Sequence, residues 1–64
     1  MELSHLIRTF LKETGMADTR FGREAAGDPR LMGDLRNGRS VGLTLERRIR
    51  RYIAEMRGKI GSAG

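Results

Sequence analysis

Apolar residues recur along this chain at intervals of three and four, and no segment alternates at intervals of two for long enough to make a strand. From Leu3 to Thr14 they fall at Leu3, Leu6, Ile7, Phe10 and Leu11, the i, i+3, i+4, i+7, i+8 spacing that lines one face of an amphipathic helix. Gly15 closes it, and Glu2 or Ser4 suits the cap and the dipole at its start. A short second helix follows, with Asp18 as its cap, Phe21 and Ala25 one turn apart on its inner face, small Gly22 and Ala26 beside them, and Gly27 as its end. Asp28 is a good N-cap for a third helix over Pro29–Arg36, since Pro at the first helical position lacks only an N–H that would have no partner there. Leu31, Met32 and Leu35 of that helix turn inward, and Asn37-Gly38 supplies a left-handed stop. Ser40-Val41-Gly42-Leu43 reads as a loop whose two apolar residues tuck under the core. Thr44 then caps a last helix with Leu45, Ile49, Tyr52, Ile53 and Met56 as its buried stripe and Gly58 or Gly61 as its end. The pattern predicts an all-α fold of four helices around one core, a single domain over residues 1–60, and a disordered small-residue tail over 61–64.

Gly22 is an expense within this scheme, because Gly inside a helix costs about 1 kcal/mol relative to Ala. A close approach of a neighbouring helix would offset it, and the crossing with the third helix is the place for one. The chain has 64 residues, and one this short buries only about 60% of the surface it exposes when unfolded. There is no Cys, hence neither a disulfide framework nor a thiolate metal site to compensate. A homodimer would add burial that the small core lacks. No apolar run approaches the ~20 residues of a membrane span, and the N-terminus lacks the pattern of a signal peptide, so the expected location is the cytoplasm.

Charge changes the picture more than size does. The net charge is +5, which suggests a polyanionic partner. Residues 1–35 hold five basic against six acidic side chains, whereas residues 36–64 hold eight against two. Eleven of the thirteen basic residues are Arg, whose planar fork holds phosphate or guanine in a two-pronged contact. Codon bias in a genome rich in G and C favours Arg as well, but it does not explain the asymmetry between the halves. Arg47 and Arg51 stand one turn apart, a like-charge spacing that is unfavourable unless an anion is near.

Two short helices joined by a tight turn, Thr19 to Arg39, have the layout of a helix-turn-helix, with Arg30, Gly33, Asp34 and Arg36 left outward on the second. Ala25 to Arg39 resembles the second half of the phage repressor and Cro-type (XRE-like, lambda-repressor-like) helix-turn-helix. Met32 and Leu35 match the two buried slots of its recognition helix, and Asn37-Gly38-Arg39 matches a frequent ending. The chain departs from the pattern at the turn, with Ala26 where the family usually has Gly, Gly27 where it has an aliphatic residue, and Pro29 where Ser or Thr is usual. Repressor-type domains carry a fifth helix, for which little chain remains. The resemblance spans roughly residues 3 to 56, and it implies a small bacterial or phage-type regulator that places helix 29–36 in the major groove of double-stranded DNA. On that reading Pro29, Arg30, Gly33, Asp34 and Arg36 face the bases, with Arg30 and Arg36 suited to guanine and Asp34 to a cytosine amino group. Thr19, Arg20, Arg39, Ser40, Arg47, Arg50 and Arg51 would position the phosphate backbone.

Chemistry of other kinds lacks its parts. Ser4, His5 and Thr9 share a helix with no acid to complete a triad, no Gly-Lys-Thr phosphate loop is present, and Gly33 and Gly38 lack the strand that a dinucleotide fingerprint needs. His5, alone on a polar face, is expected to be a surface residue rather than a metal ligand. The expectation is therefore a non-enzyme without cofactor, metal or small-molecule substrate. The alternative is a protein-interaction module, an antitoxin or adaptor, that binds an acidic partner. RNA ranks below both, because Tyr52 belongs to the core stripe and no aromatic platform remains for stacking bases.

Overall fold

Four helices, α1 (Leu3–Thr14), α2 (Asp18–Ala26), α3 (Leu31–Arg36) and α4 (Leu43–Ser62), follow one another in the computed structural model, which describes residues 2–62 and side chains through Lys59. Among these residues there is no strand. α2 packs on both α3 and α4, and α1 packs on α4. Ile7, Phe10, Phe21, Ala25, Leu31, Met32, Ile49 and Ile53 are buried, all from the stripes read above, with Leu35, Leu45, Tyr52 and Met56 half-buried around them. The rings of Phe10, Phe21 and Tyr52 join α1, α2 and α4 in a triangle with centroids 5.7 to 6.1 Å apart and tilted or edge-on geometry, the arrangement their quadrupoles favour.

The glycine stops act as the sequence suggests at three places, Gly15, Gly27 and Gly38, all with positive φ. Gly38 (φ 88°) completes a Schellman motif, in which its N–H donates to the Leu35 carbonyl at 3.1 Å and the Arg39 N–H to the Asp34 carbonyl at 3.0 Å, satisfying carbonyls that the end of α3 would leave open. Gly58 keeps a negative φ, and α4 runs through Gly58 and Gly61 to Ser62. Two residues of the expected tail are thus helical, and the rest, Ala63 and Gly64, lie outside the described residues.

The helix starts differ more. Asp18 does not cap α2: Ala17 holds that position with no side-chain bond, and Asp18 sits in the first turn with its carboxylate turned to Arg36. Neither Glu2 nor Ser4 caps α1 through its side chain, since Glu2 has the cap position without a side-chain bond and Ser4 is already helical. Thr44 also lies within its helix, because the Glu46 N–H already donates to the Gly42 carbonyl at 2.9 Å. That earlier start decides the fate of Leu43, which is 63% exposed rather than tucked under the core. Leu43 and Leu45 stand about 200° apart around a helix and cannot both face inward. Val41 alone of the loop's two apolar residues packs on the core.

Asp28 is not the cap of α3, a position that Arg30 holds without a side-chain bond, but it closes the turn that enters the helix. Its Oδ1 accepts the Arg30 N–H at 2.9 Å and its carbonyl accepts the Leu31 N–H at 3.1 Å. This tight three-residue closure takes Pro29 and Arg30 into the entering turn, so regular helix begins at Leu31 and not at Pro29. The turn is pressed onto α2 at Gly22, which is buried in the middle of that helix. A Cβ there would run into the Asp28 carbonyl oxygen and lie 3.2 Å from the Leu31 Cβ. This is the close approach that offsets the glycine's cost.

Candidate nucleic-acid interface

α3 is buried on one side, through Leu31 and Met32, and open on the other, where Pro29, Arg30, Gly33 and Arg36 are exposed and Asp34 is half-buried. Nothing lies within 4 Å of a Cβ built on Gly33. Among the described residues Arg30 makes no ion pair, and neither do Arg8, Lys12, Arg23, Arg47 and Arg48. The other charges of this face are engaged. Arg36 reaches across to Asp18 at the start of α2, and Arg39 donates to Asp34 at 2.6 Å, so side chain and backbone both tie Arg39 to the end of α3. Arg39 and Ser40 are exposed just beyond that cap, and Thr19 is exposed beside Asp18. Pro29, Arg30, Gly33, Asp34, Arg36 and Arg39 therefore share one surface.

Arg20 and Arg51 belong elsewhere. Arg20 donates to Glu24 at 2.6 Å. Arg51, 82% exposed, pairs with Glu55 at 3.0 Å and lines a groove between α2 and α4 together with Arg48, Glu24 and Tyr52. Glu24 and Ala25 line it from α2, about 200° and 300° around that helix from Gly22, so the groove runs along a flank of α2 facing α4 and not at the α3 crossing. Arg50 is half-buried against Glu46 at 2.9 Å. Glu55 also relieves the like-charge spacing of Arg47 and Arg51 without any outside anion. Arg47, exposed on the second turn of α4, keeps its charge free.

Three polar links lie outside what the sequence suggested. The Tyr52 hydroxyl donates to Glu24 at 2.9 Å, joining Arg20, Glu24 and Tyr52 in a chain. The Arg20 and Tyr52 hydrogen bonds hold the Glu24 carboxyl below its usual range, while burial, then Glu24, pushes the Tyr52 hydroxyl up. Arg57 ties α4 to α1 through Glu13 at 2.6 Å. The partners of the Asp18–Arg36 pair are separated by eighteen residues, and no local spacing announces it.

Among the described residues no group of three or more His, Cys, Asp or Glu is placed to hold a metal ion, and none of their helices is long and apolar enough to cross a membrane. No family model matches the chain, and no curated protein or solved structure matches it either.

Proposed function

We propose that this chain binds double-stranded DNA with sequence preference, as a small regulator that sets α3 and its entering turn into the major groove. The observation that carries the reading is the two-sidedness of α3. The Gly22 crossing fixes its inner side against α2, while the outer side is left uncovered with Arg30 unpaired and Gly33 open. A groove about 12 Å wide admits such a helix, and a free guanidinium at its leading turn is placed to meet guanine N7 and O6. Gly33 lets the backbone come close to the base edges. Arg36 reaches a base or phosphate by leaving Asp18, an exchange of one exposed carboxylate for another anion that costs little. Thr19, Arg39 and Ser40 lie beside this surface as phosphate contacts, and Arg47, exposed on α4 one turn from Arg51, adds another. Arg20 and Arg51, beside the α2–α4 groove, contribute through the general positive field.

Selection from random duplexes followed by titration at several salt concentrations tests the reading. If Arg30, Arg36, Arg39 and Arg47 displace counterions, log K falls against log salt with a slope of about −4, from about −0.9 per phosphate neutralised. Absence of duplex binding at low salt, with retention of an acidic protein control, would move the chain to the protein-interaction class.

A further inference from the structure

α1 and α3 do not close on each other. Between them runs a cleft of about 230 Å³ whose walls include Leu11 from α1 and Met32 and Leu35 from α3. Ser4 and Arg8 stand on the α1 side, and the spacing of Ser4, Arg8 and Leu11 places all three on one strip of that helix. Arg36 stands on the α3 side, already held by Asp18. Arg8 makes no ion pair among the described residues.

We infer that this cleft is a binding site for a small monocarboxylate with a compact apolar tail. The patch formed by Leu11, Met32 and Leu35 calls for a hydrocarbon body, and Arg8, without an ion pair among the described residues, calls for a negative charge at the rim. A guanidinium meets a carboxylate in a two-pronged bond, and the Ser4 hydroxyl, one turn away, adds a donor. A dianion such as a phosphate monoester fits less well, because the Asp18 carboxylate also lines the cleft and repels surplus negative charge. Size chooses a free small molecule over a polypeptide segment. The volume lies below the roughly 300–1,000 Å³ of drug-sized sites, and a stable protein contact buries about 800 Å² per partner.

The cleft shares Arg36 with the proposed DNA surface but does not require DNA binding, and its test needs no nucleic acid. Amide and methyl resonances of the parent are followed while hexanoate is added, with hexanamide as the uncharged control of the same shape. Hexanoate is expected to give saturable shifts confined to Arg8, Leu11, Met32 and Leu35, with an affinity roughly tenfold above that of hexanamide, the gain of one charge-assisted bond. Arg8→Gln, a change at an exposed position that leaves the core intact, should remove that advantage. Equal shifts for the acid and the amide, shifts spread evenly over the molecule, or full hexanoate affinity in Arg8→Gln would each overturn the assignment.

Discussion

Gly22 and Gly33 are both helical glycines, eleven positions apart, and they face opposite circumstances. At Gly22 a single methyl group would strike the backbone carbonyl of Asp28, whereas at Gly33 it would meet nothing within 4 Å. The first glycine is demanded by packing, because no side chain lets α2 and the turn into α3 come so close. The second is not demanded by the fold at all. A residue that costs a short helix about 1 kcal/mol without a packing return points outward, to whatever approaches that face. The same division runs through α3 as a whole, with Leu31 and Met32 answering to the core and Arg30 and Gly33 answering to nothing inside the molecule.

The sharpest way to break this comparison is to put the same methyl group at both places. Gly22→Ala is expected to destabilise by about 3 kcal/mol, the upper end of overpacking, since the atom in the way is backbone and cannot rotate aside. Gly33→Ala should stabilise the free protein by about 1 kcal/mol through helix propensity, while weakening DNA binding if the backbone there lies against base edges. Thermal melts of both variants decide the first part, and a Gly22→Ala protein that melts like the parent would show that the two helices do not cross where described. Leu35→Ala tests the same boundary from its middle. Leu35 is half-buried and lines the α1–α3 cleft, so its loss should cost about 2 kcal/mol, the low end for a core leucine. In a domain this small that is a large part of the total stability.

On the outer side the comparison is between reading and holding. Arg30→Ala should lose about 1–3 kcal/mol for the selected site and much less for random duplex, flattening the preference at one base pair. Arg47→Ala should weaken every sequence alike and make the salt slope about one unit shallower. Arg51→Ala, on the α2–α4 groove, should do less than either. If Arg51→Ala matches Arg47→Ala, the groove side of α2 also meets DNA. If Arg30→Ala weakens all sequences equally, α3 is not the reader.

All four helices were legible in the sequence, because each has apolar residues at three- and four-residue spacing long enough to fix a face. The stops at Gly15, Gly27 and Gly38 were legible too, since each follows the last inward residue of its stripe. Gly58 and Gly61 look the same in sequence but do not stop α4. A glycine ends a helix only if the chain turns left-handed there, and neither does so here. The starts were the poorest guide. Asp18 and Thr44 suit a first turn as well as a cap, and local chemistry does not separate the two positions. Of the site, the outward residues of α3 followed from periodicity, whereas the engagement of Arg36 by Asp18 and the placement of Arg20 and Arg51 beside the α2–α4 groove depend on how helices pack, which no spacing within one helix encodes.

The smallest expected effect concerns that groove side of α2. Glu24 accepts from both Arg20 and Tyr52, which holds its carboxyl below the ordinary range. A group whose folded value is depressed contributes stability that is fully present above its unfolded value, about 4.3 for Glu, and that is lost as pH falls through the folded value. Tyr52 is shifted the other way, upward, by burial and then by Glu24. Its contribution is present below about 10, its unfolded value, and disappears as pH rises through the folded one. The link is therefore whole across neutral pH and fails at either extreme. Glu24→Gln should lower the melting temperature slightly at neutral pH, by the small amount typical of exposed ion pairs, and the difference from the parent should shrink in melts taken below about pH 4. A difference that stays constant with pH would mean that Glu24 acts through packing rather than charge. A change in the preferred duplex site of Glu24→Gln would place the groove side of α2 in the reading surface and remove the division between the two sides on which the rest depends.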